Sequence, residues 1–344
     1  MKKCVLSVDI GTTSLKAGLI TAEGEVVFVY TENYSAPENR FVAESWIWAL
    51  KSAVDKIKDQ FDSLIKIVAI AISGNGPTVV ATNGMTIRWN ESGNFAYKGK
   101  SLFMPKLIFF QTMMNEAFDE SDLIFSGPEF LIFNLTGNAA TILPEERYLE
   151  TYWTNEELEE YSIDSSKLPP FVPLGTNFGN LSKNAMEFFN LDEVPVFGIG
   201  PDFIAALIGT KTIEKGRLCD RCGSSEGINF CVDKEIYAPN IRTLPSLKEG
   251  LWNLSVLIPN SGSLPEDVRL EKVKEGVDSL RELAISNNVD FPKEMTVSGG
   301  QIFDKDLLKK KEELLGLKLI VCECEHAELL GNATVAWSKL NGTL

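Results

Sequence analysis

Short apolar runs separated by turn residues open the chain, and they predict strands. Residues 5–20, VLSVDIGTTSLKAGLI, form two such runs around a tight turn rich in hydroxyl side chains. Further strands are predicted at 25–30 (EVVFVY) and at 67–73 (IVAIAIS), and the latter is apolar enough for burial on both faces. Between them, apolar side chains at helical spacing over 45–61 predict an amphipathic helix. Strands, a helix and then a buried strand indicate an α/β unit.

The pattern is harder to interpret in the middle of the chain. Asn83 and Gly84, inside TVVATNGMTIRW, form a strong two-residue turn signal and predict a hairpin. Trp153 and the acidic run 156–160 predict a solvated helix face, and the proline-rich stretch 165–175 predicts a connector.

The opening pattern recurs in the second half of the chain. Residues 194–209, VPVFGIGPDFIAALIG, predict a strand, a glycine turn and a helix. Residues 216–232, GRLCDRCGSSEGINFCV, again predict two strands around a turn of glycine and hydroxyl residues. This internal echo indicates a duplicated domain, with domains at 1–209 and 210–344. Helices are then expected at 270–287, 304–315 and 327–340, with strands at 294–300 and 317–322.

The first turn contains more polar groups than a hairpin needs. A hairpin requires no carboxylate such as Asp9, and one small residue would suffice. The hydroxyls of Thr12 and Thr13 could cap backbone groups of the turn. Alternatively, the turn is a phosphate cradle, in which Gly11 lets a ligand approach the backbone. Asp9 would then hold magnesium through water, and Lys16 would add positive charge.

Composition restricts the class of protein. The 344 residues allow two domains, and 44% hydrophobic with 24% charged residues is typical of a soluble globular protein. A net charge of −15 argues against nucleic acid or an anionic membrane as partner. The start MKKCVLSVDIG predicts a first strand rather than a signal peptide, and no apolar run approaches the roughly 20 residues of a membrane span. We therefore expect a cytoplasmic protein with reduced cysteines.

The single histidine and the six cysteines restrict the chemistry further. A catalytic triad or a histidine-rich metal site would depend on His326 alone, so carboxylates, backbone donors and metal are expected to carry any catalysis. Cys219 with Cys222, and Cys322 with Cys324, could bind zinc or an iron–sulfur cluster. Buried free cysteines are the simpler interpretation, because the first pair leads directly into the second glycine turn.

Four segments stand in a specific order along the chain. They are DIGTTSLKAGL (9–19), GPDFIAALIG (200–209), CGSSEG (222–227) and VSGGQIFDKDLLKKKEELLGLKLIVCECEHAELLGNATVAW (297–337). Together they resemble the FGGY carbohydrate kinases, the group that contains xylulokinase and glycerol kinase, within the actin-like ATPase superfamily. The resemblance implies an α/β fold of two RNase H-like domains with a nucleotide-binding cleft between them. It implies ATP and Mg²⁺ as cofactors.

The resemblance also implies roles for individual residues. Asp9 takes the position of the magnesium-associated acid, and Asp202 that of the catalytic base. The residues alone offer another role for Asp202, that of helix N-cap after a glycine and a proline. The other matches are Gly11, Thr12 and Thr13 for the first phosphate loop, Gly223, Ser224 and Ser225 for the second, and Gly299 with Gly300 for the pair beside the adenosine.

The chain departs from the family in length and on the sugar side. Family members are longer, and the segment after CGSSEG is shortened here. The family's sugar-contacting histidine is replaced by Pro77, and the arginine expected at residue 93 is missing. Sugar contacts by Asn75, Trp89 and Glu91 compete with packing or turn roles for the same residues. We therefore expect D-xylulose to be a poor substrate.

The sequence thus predicts a kinase that uses ATP and Mg²⁺ to phosphorylate a hydroxyl of a small sugar or polyol. One alternative is a regulatory protein of the same fold that binds sugar or nucleotide without catalysis. A second alternative is a cysteine-cluster ATPase of the same superfamily. The expected partners are the sugar or polyol and, as one option, a second copy of the chain, but neither nucleic acid nor membrane.

Overall fold

The computed structural model describes residues 1–91, 97–223 and 225–342. The chain forms two compact units: the first consists of Met1–Ala205 with Asn332–Leu344, and the second of Ala206–Gly331. The domains expected at 1–209 and 210–344 stay a prediction. No helix in the described ranges is long and apolar enough to cross a membrane.

The elements of the first unit alternate between strands and helices. They are β1 (Lys2–Ile10), β2 (Ser14–Ile20), β3 (Val26–Asn33), α1 (Val42–Phe61), β4 (Ile65–Gly74), β5 (Val79–Ala81), β6 (Thr86–Ile87), α2 (Met104–Met113), α3 (Asn115–Asp119), β7 (Ile124–Ser126), α4 (Gly127–Thr136), β8 (Thr141–Leu143), α5 (Leu149–Tyr152), α6 (Asn155–Glu160), β9 (Phe171–Pro173), β10 (Thr176–Asn180), α7 (Lys183–Phe189) and β11 (Pro195–Pro201). The helix α8 (Asp202–Gly209) follows and continues into the second unit.

One six-stranded sheet organises the first unit, in the order β10-β11-β4-β1-β2-β3. The strands β11, β4 and β1 are mutually parallel neighbours, whereas β2 and β3 follow β1 as antiparallel strands. The strands β5, β6 and β7 form a small separate sheet, and β8 pairs with β9. The predicted hairpin at Asn83–Gly84 is confirmed, since β5 and β6 pair across it and Gly84 has a φ of +86°.

The core of the first unit lies between this sheet and α1. From Cys4 onward β1 is fully buried, and α1 buries Trp46, Leu50, Val54 and Ile57, as their helical spacing predicted. Each such side chain stabilises the fold by about 1.5–3 kcal/mol when it leaves water completely. The predicted amphipathic helix is therefore confirmed, with its start three residues earlier.

The second unit repeats this plan. Its elements are β12 (Leu218–Cys222), β13 (Glu226–Val232), β14 (Arg242–Pro245), β15 (Trp252–Ile258), α9 (Glu266–Ser286), β16 (Glu294–Gly299), α10 (Lys305–Leu315) and β17 (Lys318–Val321), followed by α11 (Ala327–Asn341), which ends in the first unit. The sheet order is β14-β15-β13-β12-β16-β17. An antiparallel hairpin followed by two parallel strands appears in both sheets, which confirms the repeat predicted from the two turns.

The middle of the chain corrects one expectation. The acidic run lies on α6 with a capping box at Thr154, and most of its glutamates are exposed as predicted. Trp153, in contrast, is buried and packs against Phe103 and Phe171. The aromatic partners come from distant parts of the chain, so the local acidic composition gave no sign of them.

Candidate functional site

The parallel strands β1, β4 and β11 bring several predicted site residues to one edge of the first unit's sheet. Asp9 is in register with Ser73, and Ser73 with Gly200. Parallel strands end at the same edge, so Asp9, Asn75 and Asp202 all lie there, on or just beyond the strand ends. The strands β1 and β11 are two strand spacings apart, or about 10 Å.

The Asp9 carboxylate is buried at this edge and held from both sides. Ser73 Oγ lies 3.1 Å from Oδ1, and Lys16 Nζ, which projects from the cross-strand partner on β2, lies 3.3 Å from Oδ2. Asn332 on α11 orients Ser73, since its Nδ2 donates to Ser73 Oγ at 2.9 Å and to the Val8 carbonyl at 2.8 Å. The carboxylate is therefore fixed in orientation and partly balanced by one lysine.

The turn after Asp9 leaves backbone donors available. The N–H of Gly11 donates to the Ser14 carbonyl at 2.9 Å, and a Cβ at residue 11 would lie 2.8 Å from that oxygen. Within the described ranges, no backbone oxygen accepts the N–H of Thr12 or Thr13. Thr12 Oγ1 accepts a hydrogen bond of 2.9 Å from Trp89 Nε1. Two N–H groups next to a lysine form a cradle suited to an anion.

Tyr34 lies beside this turn, although the sequence did not predict it as part of the site. Its backbone N–H donates to the Thr13 carbonyl at 2.9 Å. Burial, and then the charge of Asp9, raises the pKa of Tyr34 well above its usual value. Its hydroxyl has no hydrogen-bond partner among the described residues. Ser73 and Asn332 were also missed, because their part in the site depends on pairings 64 and 259 residues apart in sequence.

The donor set around Asp9 fits a magnesium ion. Carboxylate oxygens are the ligands that Mg²⁺ prefers, and the ion usually keeps several waters. The Oδ1 of Asn332 is buried and, within the described ranges, has no hydrogen-bond partner, so it could accept from a bound water. Asp9 would hold the ion through water.

Asp202 begins α8 and accepts a hydrogen bond of 2.6 Å from the N–H of Phe203 through Oδ1. Gly200, two residues before Asp202, has a φ of +84°, and the pairing of β11 with β4 shifts register between Gly198 and Gly200. A carboxylate at this position interacts favourably with the helix dipole. Both interpretations of Asp202, as base and as helix N-terminal residue, are compatible with this geometry.

Among the residues predicted to contact sugar, Glu91 already forms ion pairs within the protein. Arg88 Nε donates to it at 2.8 Å, and Arg40 forms a second ion pair. Burial alone would raise the pKa of Glu91, but the hydrogen bonds from Arg88 and Arg40 outweigh it and lower the pKa. Lys106 Nζ donates to the backbone oxygens of Arg88, Trp89 and Glu91, and burial lowers its pKa to about 8. These contacts fix the loop through Glu91, while residue 93 lies outside the described residues.

Asn75 and Trp89 have less restricted side chains. The backbone N–H of Asn75 donates to the Ile10 carbonyl at 2.9 Å, which extends the β1–β4 pairing by one step. Trp89 is 37% exposed and its Nε1 donates to Thr12 Oγ1, so the residue that was predicted to contact sugar lies beside the turn after β1.

The predicted second phosphate turn joins β12 to β13. The N–H of Gly223 donates to the carbonyls of Arg221 and Ser225 at 3.1 and 3.2 Å. Ser225 Oγ accepts from the N–H of Asn260 at 3.0 Å. Ser224 lies outside the described residues. Ser225 therefore already has a structural partner in the loop after β15.

The two predicted adenosine-side glycines differ in their surroundings. Gly299 has a φ of +93°, and a Cβ there would lie 2.2 Å from the Cys222 carbonyl oxygen. Apart from its neighbours in the chain, no atom of the described residues lies within 4 Å of a Cβ built on Gly300. The backbone conformation and close packing at residue 299 therefore require glycine, whereas a side chain at residue 300 would face open space.

The cysteine pairs do not converge on a metal site. Cys219 and Cys222 are three residues apart on β12, so their side chains leave opposite faces of the strand. Burial raises the pKa of the Cys219 thiol and outweighs the hydrogen bond with Thr212, which lowers it. Within the described ranges, the one group of ligand atoms close enough to share a metal ion is Asp220, Cys222 and Glu226. These observations disfavour a zinc or iron–sulfur cluster held by the cysteine pairs.

Comparisons with known proteins find sequence similarity to a group of kinases. A xylulose kinase of Klebsiella pneumoniae is 22% identical over 266 residues, or 67% of this chain and 54% of the relative. A glycerol kinase of Thermococcus kodakarensis is 24% identical over 294 residues, or 71% of this chain and 56% of the relative. The chain spans about half the length of the curated relatives it matches. No family model matches the chain.

Solved structures agree in fold. A ligand-bound xylulose kinase from Lactobacillus acidophilus aligns with a TM-score of 0.78 and 15% identity, over 98% of this chain and 90% of that one. A glycerol kinase with ADP from Plasmodium falciparum gives 0.78 and 16%, over 99% and 90%. At this identity the likeness shows the fold, and the predicted fold class is confirmed.

Proposed function

This chain is a relative of the FGGY carbohydrate kinases, and from that premise we propose that it phosphorylates a hydroxyl of a small sugar or polyol with ATP and Mg²⁺. The observation that carries the proposal is the arrangement at the end of β1. There a buried carboxylate, a lysine and a turn with two available N–H groups adjoin one another. Phosphoryl transfer depends mainly on positioning and on neutralising charge, and these groups supply both.

Each group has a definite task in this proposal. The N–H groups of Thr12 and Thr13 donate to phosphate oxygens, and the Lys16 ammonium offsets their charge. Asp9 would hold magnesium through water, and the ion would supply positive charge to the phosphate oxygens. Asp202 accepts the proton of the attacking hydroxyl. In the second unit, the backbone shaped by Gly223 and Gly299 binds nucleotide.

The acceptor is a small polyhydroxylated molecule. The relatives described above are a xylulose kinase and a glycerol kinase. This chain has Pro77 where xylulokinases carry a histidine, and Glu91 is tied to two arginines. A site built for particular hydroxyls discriminates strongly against the wrong pattern, because its buried polar groups then stay unpaired. We therefore expect D-xylulose to react poorly, at kcat/KM below about 10⁴ M⁻¹s⁻¹.

The ion pairs of Glu91 favour a second candidate function. A carboxylate committed to Arg40 and Arg88 is less available to a sugar hydroxyl. On this alternative the protein binds nucleotide and regulates a partner without transferring phosphate. Nucleotide binding alone does not separate the two functions, but acceptor-dependent turnover does.

The test is a panel of sugars, polyols and sugar acids, each mixed with the protein and Mg-ATP while ADP release is followed. We expect one acceptor class to raise ADP release well above the ATPase background. Mass spectrometry should then detect the phosphorylated product. Magnesium chelation should abolish this rate. Binding of Mg-ATP without product from any acceptor would replace the kinase with the regulatory alternative.

A further inference from the structure

A lysine is completely buried in the second unit, in contact with four polar side chains. Lys311 on α10 is 0% exposed. Its Nζ lies 2.6 Å from Asp220 Oδ2, 2.5 Å from Glu226 Oε1, 3.1 Å from Gln301 Oε1 and 3.5 Å from Cys222 Sγ. Burial by itself lowers the pKa of Lys311. The nearby Asp220, Cys222 and Glu226 outweigh burial and raise the pKa far above the usual value. The group is therefore a buried cation.

The partners of Lys311 lie at both ends of the second phosphate turn. Cys222 and Glu226 are the last cross-strand pair of β12 and β13 before residues 223–225. Cys222 is also in register with Gly299 on β16, and Gln301 follows the glycine pair directly. A single ammonium thus connects the two glycine elements of this unit.

A contribution to stability does not by itself account for such a cluster. Removing charges from water costs several kcal/mol per ion, and well-packed apolar residues of similar volume often stabilise a fold as much or more. What an ammonium adds is direction, because its three protons each select an acceptor. Here those acceptors come from β12, β13 and the segment after β16, so the ammonium specifies the spacing of three backbone segments.

We propose that Lys311 is a positioning residue for nucleotide binding, whose ammonium fixes the facing ends of β12 and β13, at Cys222 and Glu226, relative to the segment Gly299–Gln301. The inference rests on the proposed function, since it assumes that these two elements bind ATP. It assigns a role to a residue that contacts neither the phosphates nor the adenosine in the proposed site.

The first experiment replaces Lys311 with methionine, which retains length and removes the ammonium. Isothermal titration calorimetry should show Mg-ATP binding at least about tenfold weaker than in the parent. The matched control is Lys310→Met, one residue earlier on α10, where the side chain is exposed and pairs with Glu266. The control should bind Mg-ATP like the parent.

Lys311→Met leaves two carboxylates buried without their cation and could unfold the second unit. The triple variant Lys311→Met, Asp220→Asn, Glu226→Gln removes all three charges and with them that penalty. A positioning role predicts that thermal stability recovers in the triple variant while Mg-ATP affinity stays low. A purely structural role predicts that stability and affinity recover together.

The outcomes distinguish this inference from the proposed function. If the parent binds Mg-ATP and the triple variant binds it equally well, the positioning role is wrong and the kinase proposal is untouched. If the parent binds no Mg-ATP, both are wrong. Tight binding by the parent and Lys310→Met, with weak binding by a stably folded triple variant, supports the inference.

Discussion

Asp9 combines burial with charge, and that combination gives the first prediction. Its side chain is 2% exposed, and Lys16 and Ser73 hold its two oxygens. Asp9→Asn keeps the shape and can still accept from Ser73, so the fold should persist. The charge that attracts magnesium is lost, and Mg-ATP affinity should fall at least about tenfold, or 1.4 kcal/mol. Calorimetry with and without Mg²⁺ measures this directly.

A matched control for that variant is Asp55→Asn on the exposed side of α1, where Asp55 pairs with Lys51. It removes the same charge from the same unit without touching the first turn, so its Mg-ATP affinity should equal that of the parent. If Asp9→Asn also binds Mg-ATP with the parent's affinity, the turn is a structural hairpin with no role in binding Mg-ATP.

Glu129 gives a prediction about pH. It is buried at the start of α4, accepts a hydrogen bond from Ile142 N–H at 2.9 Å, and burial raises its pKa to about 7. The folded state therefore holds this proton more tightly than the unfolded state, whose pKa is near 4.5. The resulting stabilisation is complete below about pH 4.5 and is lost as pH rises to about 7, a change of about 3 kcal/mol.

Urea unfolding at a series of pH values tests this point. Glu129→Gln cannot ionise, so its free energy of unfolding should lose about 3 kcal/mol less than that of the parent between pH 4.5 and 7. Glu156→Gln, on the exposed face of α6, should follow the parent. Parallel curves for parent and Glu129→Gln would show that Glu129 keeps an ordinary pKa.

Residue types and order were enough to single out Asp9, Asp202 and the glycine turns as candidates, and their roles stay predictions. Ser73, Asn332 and Lys311 could not be singled out in the same way. A serine near the end of a buried strand, an asparagine in a helix and one lysine in a run of three are ordinary in their local sequence. Their importance comes from partners that only the folded chain brings together.

At the scale of elements, the close approach of β16 to β12 gives a prediction on two adjacent glycines. Gly299→Ala places a Cβ 2.2 Å from the Cys222 carbonyl at a φ of +93°, so the strands must separate. We expect a loss of at least about 2 kcal/mol in unfolding free energy. Gly300→Ala meets no atom within 4 Å and should keep the parent's stability.

Nucleotide binding then separates the roles of these glycines. Gly300→Ala projects a methyl group into the space proposed for adenosine, so it should weaken Mg-ATP binding in a fully stable protein. Thermal melts and calorimetry on both variants provide the comparison. A stable Gly299→Ala variant would contradict the strand packing, and unchanged affinity in Gly300→Ala would remove Gly300 from the site.

Elements with a strong periodic signal were predictable, and short ones were not. The helix α1 shows five apolar residues at helical spacing, and β4 is a continuous apolar run, so both were evident. The strands β5, β7, β8 and β9 have three residues each, too few to show a period. Their pairing is set by tertiary contacts, so the sequence of the middle of the chain did not predict these strands.

For the whole molecule, the repeated sheet order is the feature that sequence and structure share most fully. Two turns of similar composition, about 210 residues apart, predicted a duplication, and both sheets show a hairpin followed by parallel strands. Net charge of −15 does not conflict with an ATP site, because Lys16 and the N–H groups act locally. Phosphoryl transfer stays the activity that we propose for this fold.

The measurement that tests that activity most directly is acceptor-dependent ADP release by the parent and by Asp202→Asn, side by side with the best acceptor of the panel. Asparagine retains a hydrogen-bonding side chain at the start of α8 but cannot take the hydroxyl proton. General-base catalysis contributes roughly 10²–10⁴ in rate. We expect an active parent, a variant at least about 100-fold slower, and equal Mg-ATP affinity in both. An inactive parent with every acceptor, or a variant as fast as the parent, would contradict this expectation.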